Sequence, residues 1–265
     1  MDYFTAPFIL INRYRGILWR TTHSELRSTY AGSALGMAWV FLGPMLLLTV
    51  YALVYAVIFR FRPTGMTLTE YILYVFSGLV PFIAFATAMT QGALSLSANK
   101  QVLLNTIFPA ELVPLRSVLV ASTSLPAGVI ILLFGDLLMS KLTATFLLVP
   151  LVMILQVMFV TGLSWMLSLL TLLIRDILQI LTYITMLLLV ITPIAYTPDM
   201  IPPHLEFLMY ANPLFYYVTS YQNLILLNQL PPIHVIVIGT SMSLVMFCAG
   251  FAMCRRVKQV FYDFA

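Results

Sequence analysis

The sequence predicts an all-α integral membrane protein: six transmembrane helices, an amphipathic helix at one interface, a short helix in a polar loop on that side, and re-entrant helices on the other. Three observations lead there. Hydrophobic residues make up 62% of the 265 and charged residues only 8%, against about 25% charged in ordinary globular chains. Apolar runs close to the ~20 residues that a helix needs to cross a hydrocarbon core recur at about 35–59, 71–94, 117–135, 144–174, 177–198 and 233–254. Lys and Arg are shared unequally between the two sides that six crossings define. With the N-terminus inside, the inner segments hold Arg13, Arg15, Arg20, Arg27, Lys100, Arg116, Arg175, Arg255, Arg256 and Lys258, and the outer ones only Arg60, Arg62 and Lys141. Both termini are therefore expected in the cytosol. The net charge of +4 follows from this asymmetry and gives no reason to invoke nucleic acid.

Residues 1–34 precede the first run. Pro7, Leu10, Ile11, Tyr14, Ile17 and Leu18 recur at helical spacing, while Arg13, Arg20 and Arg27 recur every seven residues on another face, with Arg15 as the exception. This is the pattern of a helix lying in the cytosolic interface, as an anchor on anionic lipid or as part of a gate. No basic start, apolar core and cleavage site follow one another as in a signal peptide.

The first span carries Tyr51, Tyr55 and Phe59 at four-residue spacing, and the second carries Tyr71, Tyr74, Phe82 and Phe85 on one narrow face with Gly78 amid them. Aromatic stripes on helices pack against neighbours, but tyrosine hydroxyls at membrane depth need partners. A wet or sugar-lined path would supply them. No Asp, Glu, Lys or Arg falls inside the six spans as drawn. Ion-coupled transporters keep such residues near the midplane, so their absence argues against proton-driven transport.

Between the second and third spans, residues 95–116 form a polar island, SLSANKQVLLNTIFPAELVPLR. Asn99 and Lys100 are followed by an apolar patch ending at Phe108, then by Pro109, Glu111 and Pro114. A turn needs far fewer residues. The island is expected to dock a second protein through a short helix opened by Pro109, with Glu111 in its first turn, where the helix dipole favours a carboxylate; the alternative is an ordinary interfacial linker. Arg175 and Asp176, with Gln179 one turn on, sit at an almost loopless junction between the fourth and fifth runs. They form either a local ion pair or a contact with whatever binds the island.

Residues 199–232 are interrupted by Pro202, Pro203, Pro213, Pro231 and Pro232, and the apolar pieces between them are too short to cross. Two short helices dipping into the outer face are expected, since non-helical backbone at that depth is tolerated only where protein or water covers it. Tyr196, Tyr210, Tyr216, Tyr217 and Tyr221 make this segment either an interfacial aromatic belt or the gate at the outer end of a path.

No Gly-x-x-x-x-Gly-Lys-Ser/Thr loop occurs, and no lysine follows a glycine, so the chain cannot bind ATP in that manner. His23, His204 and His234 lack metal-ligand spacing, and Cys248 and Cys254 lie in the last apolar run. An embedded hydrolase or acyltransferase would need a catalytic constellation that is missing. No enzyme activity, metal or cofactor is expected on this chain.

Arg27 and Tyr30 lead into Ser33-x-Leu35-Gly36-x-x-Trp39 and Pro44. Asn99 to Phe108-Pro109-Ala110-Glu111-Leu112-Val113-Pro114 follows, then Arg175-Asp176 with Gln179, Thr192-Pro193-Ile194-Ala195-Tyr196, Ile201-Pro202 and Asn212-Pro213-Leu214. In joint order and spacing these blocks resemble the permeases of type 2 ABC transporters that export bacterial surface polysaccharide: the O-antigen exporters and their capsule and teichoic-acid relatives. The chain departs from that pattern at Gln101 and Ala110, where many relatives carry basic side chains. The resemblance implies a homodimer in the bacterial inner membrane with two separate P-loop ATPase subunits that hold ATP and magnesium, moving an undecaprenyl-linked polysaccharide from cytosol to periplasm. On that reading Asn99, Lys100, Phe108, Pro109, Glu111, Arg175 and Asp176 couple to the ATPase, and Tyr51, Tyr55, Phe59, Tyr71, Tyr74, Phe82 and Phe85 line the path. Arg13, Arg20, Arg27, Tyr30 and Trp39 form a cytosolic gate or interface, and Tyr196, Pro202, Asn212, Pro213, Tyr216 and Tyr217 the periplasmic gate. An exporter of teichoic acid, capsular polysaccharide or a small amphiphile is the next reading, and an embedded enzyme of lipid or glycan assembly the third.

Overall fold

In the computed structural model residues 5–54, 66–100, 109–139 and 143–264 are described, the last stretch with side chains as far as 257. Tyr55, Phe59 and Phe108 lie outside the described residues. All regular elements among the described residues are helical: α1 (Ala6–Thr29), α2 (Trp39–Ala52), α3 (Leu68–Ala98), α4 (Leu112–Ala121), α5 (Ser124–Leu138), α6 (Val149–Leu173), α7 (Ile177–Ile191), α8 (Glu206–Ala211), α9 (Pro213–Ile225) and α10 (Ile233–Phe264).

Several boundaries follow from local chemistry. Thr67 and Glu70 form a reciprocal capping box at the start of α3, the Thr67 amide donating to Glu70 Oε2 at 2.7 Å. Asn212 caps α9 by accepting from the Leu214 amide at 2.9 Å, with Pro213 at the first helical position. α7 stops at Ile191 because Pro193 disfavours the helical conformation at Thr192, whose backbone is extended.

Among the described residues, four helical stretches are long and apolar enough to cross a bilayer: Leu68–Ala98, Leu112–Leu138 (α4 and α5 in succession), Ala144–Leu173 and Ile233–Val257. Two more, Gly36–Ala52 and Ile177–Ile191, are apolar but shorter. The fifth expected span, drawn to residue 198, is thus helical only to Ile191. Its 15 residues rise about 22 Å, less than the ~30 Å hydrocarbon thickness.

Helix α5 does not end where the apolar run does, but continues through Asp136, which is only 1% exposed. A buried carboxyl group therefore lies within a candidate span, contrary to the expectation of spans free of Asp and Glu, so missing charge does not exclude proton-driven transport.

Helix α3 is the centre of the molecule, packed against α4, α5, α6 and α9. Its long register of buried residues, from Tyr71 to Leu96, makes it the spine of the main core. Helices α6 and α10 cross with backbone in contact. A Cβ added at Gly162 would meet the Met246 carbonyl oxygen at 2.2 Å, and one at Gly250 the Gly162 carbonyl oxygen at 2.1 Å. Small residues permit this approach, the usual device where helices gain nothing from hydrophobic burial against lipid. By contrast α2 buries only Val40 and Leu48, and α7 only Leu181. Their remaining apolar faces turn outward.

Candidate functional site

After α7 the backbone from Thr192 to Tyr196 is not helical, so its carbonyls lack helical partners. At membrane depth each unmet polar group would cost several kcal/mol. Side chains from α3 and α9 meet them. Gln222 Nε2 donates to the Pro193 carbonyl at 2.9 Å, Tyr71 OH to that of Ala195 at 2.9 Å, and Tyr74 OH to that of Tyr196 at 3.3 Å. Asn212 Nδ2 donates to Thr192 Oγ1 at 2.7 Å, while Tyr196 OH turns back to the Ile191 carbonyl at 2.7 Å and closes the end of α7. Gly78 makes room: a Cβ there would sit 3.0 Å from Gln222 Nε2 and 3.3 Å from Ile194 Cα. The break in the fifth apolar run is held in a polar clamp between α3 and α9.

This assigns the second-span aromatics differently from a path lining. Tyr71, Tyr74, Phe82 and Phe85 are all buried in the main core, and both tyrosine hydroxyls are engaged by the clamp. The physical cause is the central place of α3, which has protein on the face that carries them. Tyr51 is half-buried against the same core. Of the residues expected at the outer gate, Tyr196, Asn212 and Pro213 belong to the clamp or its cap, and Pro202 is exposed. Tyr216 OH donates to the Tyr210 carbonyl at 2.8 Å, and Tyr217 OH lies 2.7 Å from Ser243 Oγ on α10.

At the other end of α3, Asn99 Nδ2 donates to the Ser95 carbonyl at 2.8 Å and Asn99 Oδ1 accepts from Arg116 Nη2 at 3.0 Å. Arg116 also pairs with Glu25 of α1, so three helices meet at one guanidinium. Leu10, Ile11, Tyr14 and Leu18 of α1 pack into a second core cluster with Leu96, Leu112 and Leu115. Trp165, fully buried, donates Nε1 to the Glu111 carbonyl at 2.7 Å and packs its rings on Phe247 and Phe251.

Glu111 itself is 4% exposed and stands at the cap position before α4 rather than in an exposed first turn. Pro109 and Ala110 form a turn whose carbonyls accept from Leu112 and Val113. The segment lies in the interior because its apolar side chains Ala110, Leu112, Val113 and Leu115 join the second core cluster, where the Trp165 bond meets the Glu111 carbonyl. Among the described residues of this end, Lys100 and the turn of Leu173, Ile174, Arg175 and Asp176 are exposed. Arg175 and Asp176 form no ion pair with each other among the described residues. Arg13, Arg20 and Arg27 are exposed along α1, Tyr30 closes its C-terminus, and Trp39 donates Nε1 to Ser33 Oγ at 3.0 Å.

Gln222, Glu25 and Trp165 escape sequence reasoning. Gln222 is the most findable of them, an amide beside Asn223 in an apolar piece that lacks the length to span.

Residues 17–226 match the ABC-2 type transporter family. Over 258 residues, 95% of this chain and 96% of the relative, the sequence is 28% identical to the O-antigen export system permease protein RfbA of Myxococcus xanthus. Over 208 residues, 77% of each chain, it is 29% identical to a protein of the same name from Klebsiella pneumoniae.

Proposed function

Because this chain belongs to the ABC-2 type transporter family, we propose that it is the permease of an exporter carrying undecaprenyl-linked surface polysaccharide of the O-antigen type across the bacterial inner membrane. The observation that carries this reading is the family match over residues 17–226, together with relatives named as O-antigen export permeases that align along most of their length. The permease works as two copies with two P-loop ATPase subunits, which bind ATP and magnesium. Six crossings, two of them by the shorter helices α2 and α7, leave both termini in the cytosol.

The outward apolar faces of α2 and α7 support the dimer, since a second copy would cover surface that this chain leaves open. Lys100 and the exposed turn from Leu173 to Asp176 support a docking surface for the ATPase. Helix α3 then connects the two ends. Its 31 residues span about 46 Å, from Asn99 beside that surface to Tyr71 and Tyr74 in the outer clamp. A push on the cytosolic end reaches the break after α7 through one continuous helix, which suits a gate worked from the far side. Lines of the path are expected between copies rather than along the buried aromatics of α3.

Deleting the chain in cells is expected to leave complete lipid-linked glycan on the cytosolic leaflet, measured by its accessibility in inside-out vesicles. A chemically altered glycan that still reaches the surface would replace export with an assembly enzyme.

A further inference from the structure

The surface of α1 divides into three sectors when its residues are placed at roughly 100° steps. One sector, with Ile11, Tyr14 and Leu18, docks on the second core cluster. A second carries Phe8 and Trp19, which are 46% and 74% exposed. The third is basic: Arg13, Arg20 and Arg27 fall within about 40° of one another, all exposed. It lies roughly 100° round the helix from Trp19. Glu25 is the single acidic residue of α1, and it sits on the docked side, paired with Arg116. With the docked apolar side chains, that pair holds this side of α1 against the bundle and leaves the arginine row on the exposed side.

An isolated basic stripe in water asks only for solvent. Here it runs beside an exposed tryptophan on a helix docked to a membrane-embedded bundle, and the two sectors call for different surroundings. Tryptophan settles at headgroup level with its ring in the apolar boundary. Guanidinium groups pair with phosphate oxygens in a bidentate manner. Arg15, on the edge of the apolar sector, can reach the same level by extending its stem. We propose that α1 is a binding surface for anionic phospholipid headgroups, held by Arg13, Arg20 and Arg27 with Trp19 inserted beside them. The proposal rests on the reading of α1 as an interfacial helix, and not on what the chain transports.

The test uses the full chain reconstituted in phosphatidylcholine vesicles with an equal, small fraction of either brominated phosphatidylglycerol or brominated phosphatidylcholine. Bromine quenches tryptophan on contact, and the Trp19 signal is the difference between wild type and Trp19→Phe. Each arginine engaged enriches an anionic lipid by about five-fold, so Trp19 should be quenched several-fold more by the brominated anionic lipid. The triple change Arg13→Gln, Arg20→Gln, Arg27→Gln should equalise the two lipids. The corresponding triple change to lysine should keep the preference, and about 0.5 M salt, which shortens the Debye length to roughly half its physiological ~8 Å, should weaken it. Equal quenching by both lipids in the wild type, or a preference that survives the triple glutamine change, would overturn the proposal. Neither outcome requires ATP or polysaccharide, so the export reading stands or falls separately.

Discussion

Gly250→Leu is expected to abolish the folded chain, and Gly250→Ala to destabilise it by about 1–3 kcal/mol or more, the range for overpacking a close contact. Any Cβ at this position meets the Gly162 carbonyl oxygen at 2.1 Å. The obstacle is backbone, which cannot rotate aside as a side chain can, so α6 and α10 must separate along their crossing. Gly162→Ala should behave likewise against Met246. Gly16 and Gly43 provide the control. Both are helical, and nothing lies within 4 Å of a Cβ added at either, so alanine there should be neutral or stabilising by up to about 1 kcal/mol. Thermal stability of the detergent-solubilised chain, read as the fraction still monodisperse after heating, distinguishes the two pairs. Equal melting of Gly250→Ala and Gly43→Ala would mean that α6 and α10 do not touch as described.

The second large effect is expected at the clamp. Gln222→Leu keeps the bulk but leaves the Pro193 carbonyl without its donor, at a cost of about 1–3 kcal/mol for a buried group left unmet. The Thr192–Tyr196 backbone should then open more often, and its amides should exchange with deuterium about ten-fold faster or more. Exchange in α6 should be unchanged. Tyr71→Phe should act in the same direction, and Tyr74→Phe less, since its bond is longer at 3.3 Å. Wild-type exchange rates in Gln222→Leu would show that the break is held by something other than α9.

Much of this architecture is legible in the sequence, because a bilayer leaves few options. Apolar runs give the helices of the core, and the prolines from Pro202 to Pro232 mark a segment of short helices, whereas the capping box of Thr67 and Glu70 and the break after Ile191 come from the structure. What sequence cannot give is the partner across space. The tyrosine stripe of α3 has the right period for a single face, yet periodicity is silent on whether that face meets sugar, lipid or protein. Here it meets the chain's own backbone 122 and 124 residues away. Glu111 reads as an exposed carboxylate in a polar island until Trp165, 54 residues on, is found bonded to its carbonyl. Asp136 is hidden for a different reason: an apolar run ends at the first charge, whereas a helix ends only where its backbone does.

The central claim is that this chain moves its cargo only when a separate ATPase drives it. The direct measurement is transfer of lipid-linked polysaccharide across reconstituted vesicles, scored by access of an externally added glycosidase. Chain and P-loop subunit together should give transfer that needs ATP, and the chain alone should give neither transfer nor ATP hydrolysis, having no phosphate-binding loop. ATP hydrolysis by the chain alone, or transfer that proceeds at full rate without ATP, would contradict the account.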